Sequence, residues 1–310
     1  MEYVNCNLCG CDATEVVNHG PDLLLNRPGD YYLVRCQQCG LIYQNPRLTP
    51  AELEQHYPES YLPYQEDYRD ASFLQRLSTQ HWIQRRCAHL SRHHPGTGHL
   101  LDVGCATGLF LDAMRGRGWD VTGVELSRYA AAYARKTFAL EVVAGTLQEA
   151  QFPGNSFDVV TLWDVLEHVI DPKETLAEIR RVLKADGTLV LSLPNPTCVE
   201  AGLFGDSWVG WDRPRHLHLF TPAVLHRYLE EAGFMLTTIE SLGGRLGLTL
   251  LSVEFLCKKH GVSERRWRSL VRLLYNGPLR LATWPLYRLG EKLNQTTVMT
   301  VFARPRESRT

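Results

Sequence analysis

The most constraining feature of this 310-residue chain is a glycine turn between an apolar segment and a predicted helix. Residues 100–110 read Leu-Leu-Asp-Val-Gly-Cys-Ala-Thr-Gly-Leu-Phe, so three residues separate Gly104 from Gly108. Glycine permits a tight turn that brings backbone N–H groups close to a ligand at the start of a helix. The additional glycine of the dinucleotide fingerprint is missing. The turn therefore predicts a ligand-binding loop after a buried strand, and the following segments narrow the ligand class.

A second acidic position lies at the end of the next predicted strand. The segment 120–125 reads Asp-Val-Thr-Gly-Val-Glu, and Glu125 follows Asp102 by 23 residues. In nucleotide-binding α/β folds, an acid at about this spacing accepts hydrogen bonds from ribose hydroxyls. The alternative is a solvated charge at a strand end. With the glycine turn upstream, we expect the ribose role for Glu125.

Strands and helices alternate over residues 99–195, which indicates a doubly wound parallel sheet. Segment 157–164 is apolar enough for a strand buried on both faces. A helix is predicted from Asp171, a good cap followed by proline, to the turn at Gly187, with Leu183 on its apolar face. This pattern argues against a helix bundle or an all-β fold.

The Asp-x-Gly-x-x-x-Gly turn resembles motif I of the class I S-adenosylmethionine (SAM) methyltransferases, and the resemblance covers about residues 99–240. The segment Val-Leu-Glu-His-Val-Ile-Asp-Pro at 165–172 is also recurrent in that family. The resemblance implies a doubly wound, seven-stranded Rossmann-like sheet that binds SAM at the turn. The candidate cofactor-binding residues are Asp102, Gly104, Cys105, Ala106, Gly108, Glu125, Leu126, Thr146, Leu147, Trp163 and Tyr61.

Two Cys-x-x-Cys-Gly knuckles lie near the amino terminus. Their cysteines are Cys6, Cys9, Cys36 and Cys39. Four thiolates at this spacing can close a tetrahedron around Zn²⁺. Disulfides would suit a secreted chain, but the first residues lack a signal-peptide pattern. A redox pair would need one motif beside a βαβ unit rather than two matched knuckles. The sequence predicts a structural zinc ribbon over residues 1–46, and segment 35–47 resembles the leader of some bacterial small-molecule methyltransferases.

Residues 47–98 are predicted to be a helical, tyrosine-rich linker. Tyrosines recur at intervals of four, three and four, at Tyr57, Tyr61, Tyr64 and Tyr68. They form either a packing seam between leader and core or a lid over the cofactor, with Tyr61 as the nearest contact. The remaining residues, 99–310, are predicted to form the methyltransferase domain.

A basic amphipathic helical insertion is predicted within that domain at about 258–292. The segment from Glu264 to Lys292 contains seven basic residues and two acidic ones. Such a helix can lie on an anionic membrane or contact a lipid-like substrate. The alternative is a helix packed on its own domain with a solvated basic face.

The composition and charge of the chain indicate which classes of partner it is expected to bind. The chain has 33 Lys and Arg against 34 Asp and Glu, so no global charge favours nucleic acid. No apolar run approaches the roughly 20 residues that span a bilayer. Nine cysteines without an export signal predict a reducing, cytoplasmic location. We expect a small-molecule substrate and no nucleic-acid partner.

Polar residues follow the fourth and fifth predicted strands, whose ends neighbour one another in the ligand crevice of an open α/β sheet. The candidates for proton removal from the acceptor are Asp164, Glu167, His168, His216 and His218. The Asp-x-x-Glu-His segment resembles the one in ubiquinone-pathway O-methyltransferases that binds a divalent metal near the phenolic substrate, so a catalytic divalent metal is an alternative. Structural histidines bonded to the backbone are the alternative for His216 and His218.

The sequence therefore predicts a SAM-dependent methyltransferase that acts on a small molecule, at oxygen. An RNA methyltransferase is one alternative, because some of these enzymes also carry an amino-terminal zinc module. The balanced charge argues against it, as does segment 162–165, which reads Leu-Trp-Asp-Val rather than Asn/Asp-Pro-Pro-Tyr/Phe. A non-catalytic SAM-binding regulatory subunit is the other alternative.

Overall fold

The computed structural model describes residues 1–58, 73–242, 246–275, 285 and 287–306. The predicted lid residues Tyr61, Tyr64 and Tyr68 lie outside this part of the chain. The leader and linker contain β1 (Thr14–Asp22), β2 (Arg27–Cys36), β3 (Ile42–Gln44), α1 (Pro50–Glu54) and α2 (Phe73–His93).

The rest of the chain alternates strands with helices. Its elements are β4 (His99–Val103), α3 (Leu109–Arg115), β5 (Asp120–Glu125), α4 (Arg128–Phe138), β6 (Glu141–Ala144), β7 (Phe157–Trp163), α5 (Pro172–Val182), β8 (Leu183–Pro194), α6 (Val199–Phe204), β9 (His218–Leu219), α7 (Pro222–Glu231), β10 (Phe234–Glu240), α8 (Leu246–Lys259), α9 (Glu264–Tyr275) and β11 (Val298–Pro305).

Seven of these strands form one sheet in the order β10-β11-β8-β7-β4-β5-β6. The strands from β8 to β6 are parallel, and β11 runs antiparallel between β8 and β10. Strands β4, β7 and β8 are buried along most of their length, because helices cover both faces of a doubly wound sheet. The predicted doubly wound, seven-stranded sheet is confirmed.

Two predicted details are wrong. Helix α5 ends at Val182 rather than near Gly187, because Leu183 is already extended and pairs with Phe157 of β7. The apolar side chain of Leu183 is therefore buried in the core as part of strand β8 rather than of helix α5. The connection between β6 and β7, residues 145–156, contains turns and no helix, so the alternation of strands and helices is interrupted there.

A smaller sheet joins the leader to the segment that carries the seven-stranded sheet. Its order is β1-β2-β3-β9, with β9 antiparallel to β3 through the pairs Ile42–Leu219 and Tyr43–His218. Leu33 packs with Ile42 and Leu219 beneath this sheet. The leader sheet is thus completed by a strand that follows β8 in the chain.

Two sequence predictions concern the surface of the protein. One is a basic amphipathic helix in the region of α9, and the other is that no apolar run is long enough to span a bilayer. Helix α9 exposes Leu270 and Leu273 together with several arginines. Among the described residues, no helix is both long enough and apolar enough to cross a membrane.

Candidate cofactor and acceptor site

The glycine turn after β4 has backbone angles that favour glycine. Gly104 has φ +74° and Gly108, the residue before α3, has φ +83°. A Cβ on Gly104 would lie 2.5 Å from Cγ2 of Val165. Ala106 between them also has a positive φ, +46°. The sequence therefore needs glycine at these positions for local sterics, which leaves the backbone N–H groups of the turn near the carboxyl end of the sheet.

Glu125 links this turn to the end of β5. The side chain is 5% exposed. Its Oε2 accepts a hydrogen bond from Ala106 N–H at 2.8 Å, and its Oε1 accepts one from Ser127 N–H at 2.7 Å. Burial raises the pKa of Glu125, while these N–H groups act in the opposite direction. The next residue, Leu126, is exposed, so Glu125 lies where the core meets the crevice.

Asp102 lies deeper, at the carboxyl end of β4. Its Oδ1 accepts a hydrogen bond from the Thr161 hydroxyl at 2.6 Å, and the residue is 3% exposed. Burial raises the pKa of Asp102 to about 7. This carboxyl group is therefore held in the core beneath the turn.

The loop after β6 and the turn cysteine were also predicted to contact the cofactor. Thr146 donates through its N–H and its hydroxyl to Glu149 Oε2, at 2.8 and 3.0 Å. Leu147 is buried. Cys105 is buried against Gly123, where a Cβ would lie 2.6 Å from its Sγ.

Trp163 ends β7, and α2 covers it with an arginine that sequence reasoning missed. The Arg86 guanidinium carbon lies 4.7 Å from the centroid of the Trp163 ring. Arg86 Nη2 also lies 3.0 Å from Asp164 Oδ2, and the Ser192 hydroxyl donates to Asp164 Oδ1 at 2.9 Å. Asp164 is therefore held in an ion pair, and no local sequence signal links it to a residue 78 positions earlier.

Three of the five predicted catalytic residues come together. Glu167, His168 and His216 place possible ligand atoms within 4.8 Å of one another, and the two imidazole centroids are 4.7 Å apart. Glu167 and His168 follow β7, whereas His216 precedes β9. We call this set the histidine cluster. As described above, Asp164 is paired with Arg86.

The hydrogen bonds of the histidine cluster show which ring nitrogen carries the proton, because a carbonyl oxygen can only accept a hydrogen bond. His168 Nδ1 lies 3.0 Å from the Arg215 carbonyl oxygen, and His216 Nδ1 lies 2.8 Å from the Gly210 carbonyl oxygen. Both Nδ1 atoms therefore carry the proton and both Nε2 atoms present a lone pair. Burial lowers the pKa of His168 to about 3 and holds that of His216 below its ordinary value.

His218 lies apart from the cluster on β9. It is 3% exposed, and its ring is hydrogen-bonded to the Val169 backbone. Burial lowers the pKa of His218 to about 4.

A residue of the linker also contacts His168: the Tyr57 hydroxyl oxygen lies 3.0 Å from His168 Nδ1. The spacing of the linker tyrosines predicts that Tyr57 lies in a packing seam or a lid, but it does not predict the contact with His168.

The four knuckle cysteines converge in the leader. Their Sγ atoms lie within 4.8 Å of one another, with 3.4 Å between Cys6 and Cys39 and 3.5 Å between Cys9 and Cys36. A tetrahedral zinc site with Zn–S bonds of about 2.3 Å separates its sulfurs by about 3.8 Å. Gly10 follows its knuckle with φ +74°, which the tight turn requires. The donor set and its spacing fit Zn²⁺.

Comparison with known proteins agrees with this geometry. A family model described as a methyltransferase domain matches residues 71–239, more than half of the chain. The ubiquinone biosynthesis O-methyltransferase of Thiobacillus denitrificans is 35% identical over 147 residues, which cover 43% of this chain and 63% of that protein. The enzyme of the same name from Psychrobacter arcticus is 31% identical over 176 residues, which cover 49% and 68%. The chain thus spans just under two thirds of the first relative.

A solved structure shares the fold. Phosphoethanolamine N-methyltransferase 2 of Haemonchus contortus, in complex with S-adenosyl-L-methionine, superposes with a TM-score of 0.51 at 19% identity. The superposition covers 73% of this chain and 53% of that one. This likeness concerns the fold alone. The family match shows that the chain belongs to the methyltransferase domain family, and its sequence resembles the ubiquinone O-methyltransferases among the class I SAM-dependent methyltransferases.

Proposed function

We propose that this enzyme transfers a methyl group from SAM to an oxygen atom of a small molecule. The observation that carries the proposal is the histidine cluster: Glu167 and His168 follow β7, the strand beside β4 and its glycine turn, and His216 joins them from the segment before β9. The names of the relatives support an oxygen acceptor. Ligands of open α/β sheets bind in the crevice at these strand ends.

The proposed cofactor site consists of the turn and the strand ends around it. SAM supplies a methyl group that is already activated by a sulfonium. Gly104 and Gly108 allow the positive-φ turn at the strand ends where such a ligand would bind, and each oxygen of Glu125 retains a lone pair for a ribose hydroxyl. Asp102, Cys105, Ala106, Leu126, Thr146, Leu147 and Trp163 complete the proposed contacts. Tyr61 lies outside the described residues.

The proposed role of the chain's own residues is to align the acceptor and remove its proton. His168 and His216 present neutral Nε2 lone pairs close to the Glu167 carboxylate, and two of these three residues, Glu167 and His216, are buried. A positioned base contributes about 10²- to 10⁴-fold to a rate. The Nδ1–H bonds to backbone carbonyls hold both rings in one tautomer, so the Nε2 lone pair of each ring stays available to accept a proton.

A divalent metal in the histidine cluster is the second candidate role. Two imidazole nitrogens and a carboxylate oxygen form a suitable donor set, and each imidazole donates its other N–H to a carbonyl, as metal-bound histidines generally do. A low imidazole pKa also suits a ligand, since the lone pair is free at neutral pH. A metal bound there would lower the pKa of the acceptor hydroxyl.

The test is turnover with SAM on a panel of catechols and phenols, for the wild type and for His168→Ala and His216→Ala. His226→Ala is the matched control, because His226 is half exposed on α7. We expect both cluster variants to lose at least a hundredfold in kcat while SAM affinity is retained. Normal turnover in both variants would refute the assignment, and SAM binding without turnover on any acceptor would favour a non-catalytic role.

A chelator separates the two roles of the cluster. If treatment that leaves the leader zinc bound removes activity, and Mg²⁺ or Mn²⁺ restores it, the metal role holds. Unchanged activity after such treatment supports proton removal by the imidazoles alone.

We further propose that Cys6, Cys9, Cys36 and Cys39 hold one structural Zn²⁺ in a leader of residues 1–46. Four thiolate ligands fill the tetrahedron and leave no position for a substrate. Residues 47–98 then form the linker, and residues 99–310 form the methyltransferase domain with an insertion at about 258–292. Elemental analysis of protein prepared without oxygen tests the zinc assignment, with about one zinc per chain expected.

The insertion is proposed to contact an anionic membrane surface or a lipid-like acceptor. Helix α9 exposes Leu270 and Leu273 and carries Arg265, Arg266, Arg268 and Arg272 against Glu264. Apolar residues beside several arginines suit an anionic interface. Sedimentation with phosphatidylglycerol vesicles, compared with neutral phosphatidylcholine vesicles, tests this surface, and the Leu270→Ser/Leu273→Ser variant should no longer sediment. Equal recovery of wild type with both vesicles would refute it.

A further inference from the structure

A buried arginine links the leader to the acceptor site. The Arg215 side chain is fully buried. Its Nη1 and Nη2 donate to Asp22 at 2.7 and 2.8 Å, and its Nε and Nη2 donate to Asp212 at 3.0 and 2.6 Å. We call these three residues the Arg215 network. Asp22 is the last residue of β1, so one of the two carboxylates that bind this guanidinium comes from the leader.

Two members of the Arg215 network, Arg215 and Asp212, contact the histidine cluster. The Arg215 carbonyl oxygen accepts the Nδ1–H of His168 at 3.0 Å. Asp212 Oδ2 lies 3.8 Å from His216 Nε2, and the His216 backbone N–H donates to the Asp212 carbonyl at 3.0 Å. The position of Arg215 thus sets the tautomer of one imidazole and the charge beside the other.

Asp22 determines how the guanidinium is shared. Asp22 Oδ1 also accepts the Leu25 N–H at 3.0 Å, and its Oδ2 lies 3.0 Å from His56 Nδ1. The carboxylate is therefore held by Leu25 of the leader and His56 of the linker as well as by Arg215. With Asp22 in place, Asp212 balances only part of the arginine charge and retains negative charge toward His216.

We infer that Asp22 of the leader is a positioning residue for methyl transfer, acting through Arg215 and Asp212 on His168 and His216. This inference rests on the proposed function, because it assumes that these imidazoles serve the acceptor. The leader then belongs to the active centre rather than being an independent zinc module beside it. Removing the direct hydrogen-bond partner of a metal-binding histidine generally costs about 10- to 100-fold in affinity or activity, and this range sets the scale for a residue that acts through such a partner.

The central test compares Asp22→Asn with Asp30→Asn. Asp30 is the matched control, because it lies on the same hairpin but pairs with His19 at the surface. We expect Asp22→Asn to lower kcat about 10- to 100-fold while the Kd for SAM and the KM for the acceptor stay within twofold. We expect Asp30→Asn to match the wild type. An Asp22→Asn protein that is folded and zinc-loaded and has wild-type kcat overturns the inference.

A second variant covers the case in which Asp22→Asn does not fold, since a buried arginine that loses one carboxylate is destabilising. Asp22→Leu/Arg215→Met/Asp212→Asn removes all three charges of the Arg215 network, so no buried charge is left without a partner. Replacing a whole buried ionic network by neutral groups of similar size usually preserves stability. A positioning role predicts that this variant folds but stays at least tenfold slow. A purely structural role predicts wild-type kcat, and that result overturns the inference.

NMR of ¹⁵N-labelled histidine gives a reading that does not need turnover. The wild type should show His168 and His216 as Nδ1–H tautomers, and Asp22→Asn should change the His168 signal pair while Asp30→Asn leaves it unchanged. If no acceptor is methylated but this change occurs, the proposed function has failed and the structural link has not. An unchanged His168 tautomer in folded Asp22→Asn overturns the link itself.

Discussion

Replacing Glu125 by glutamine tests how the glycine turn is held in its binding conformation. The two carboxylate oxygens accept the N–H groups of Ala106 and Ser127 at 2.8 and 2.7 Å. Glutamine keeps one acceptor oxygen, so one of these N–H groups faces an amide nitrogen instead. Losing one hydrogen bond to a charged group in this buried position costs about 1.5–3 kcal/mol. If the cost falls on the cofactor-bound turn, the Kd for SAM rises about 10- to 100-fold.

Isothermal titration calorimetry with SAM measures this change directly. Glu141→Gln is the control, because Glu141 is an exposed acid at the start of the neighbouring strand β6. Its Kd should stay within twofold of the wild type. If folded Glu125→Gln also binds SAM with wild-type affinity, neither the turn nor a ribose contact depends on this carboxylate, and the proposed cofactor site is wrong.

Three further predictions concern the turn, the core acid and the leader. Gly104→Ala should cost about 1–3 kcal/mol in the free energy of unfolding, because its Cβ meets Val165 at 2.5 Å and its φ is +74°; Val165→Ala should recover only the steric part in denaturant titrations. Burial raises the pKa of Asp102 from 3.8 to about 7, so the folded state binds more protons between these values and stability falls as pH rises, by up to about 1.4 kcal/mol per unit. Asp102→Asn should flatten that slope, and an unchanged slope would contradict the pKa assignment. Cys36→Ser should abolish zinc in elemental analysis and lower solubility, whereas Cys257→Ser, outside the knuckles, should retain the metal.

The features that the sequence predicted well are those with a local physical cause. The turn at Gly104 needs a residue without Cβ, and the parallel strands need continuous apolar side chains, so both are visible within a few residues. The knuckle spacing likewise brings Cys6 and Cys9 together within one turn. Helix α5 was predicted too long because Leu183 suits an apolar helix face as well as a buried strand, and only the partner Phe157 distinguishes them.

The contacts that could not be predicted join distant positions. Asp22 and Arg215 are 193 residues apart, and Tyr57 and His168 are 111 apart. A charged residue in a sequence gives no sign of whether it meets a partner in the core or water at the surface. His216 and His218 alternate with leucines and are predicted together, yet only His216 reaches the cluster, because His218 belongs to β9, the strand that pairs with β3 in the leader sheet.

The pairing of β9 with β3 has a consequence for biosynthesis. During translation the leader emerges first, but the strand that completes its sheet follows 175 residues later. At about 5–20 residues per second, the ribosome needs about 9–35 s to deliver it. For that interval β3 presents an open edge, which is a hazard for intermolecular pairing. Metal capture by the nascent knuckles would hold the hairpin in shape meanwhile, so zinc supply during synthesis would determine the yield of active enzyme.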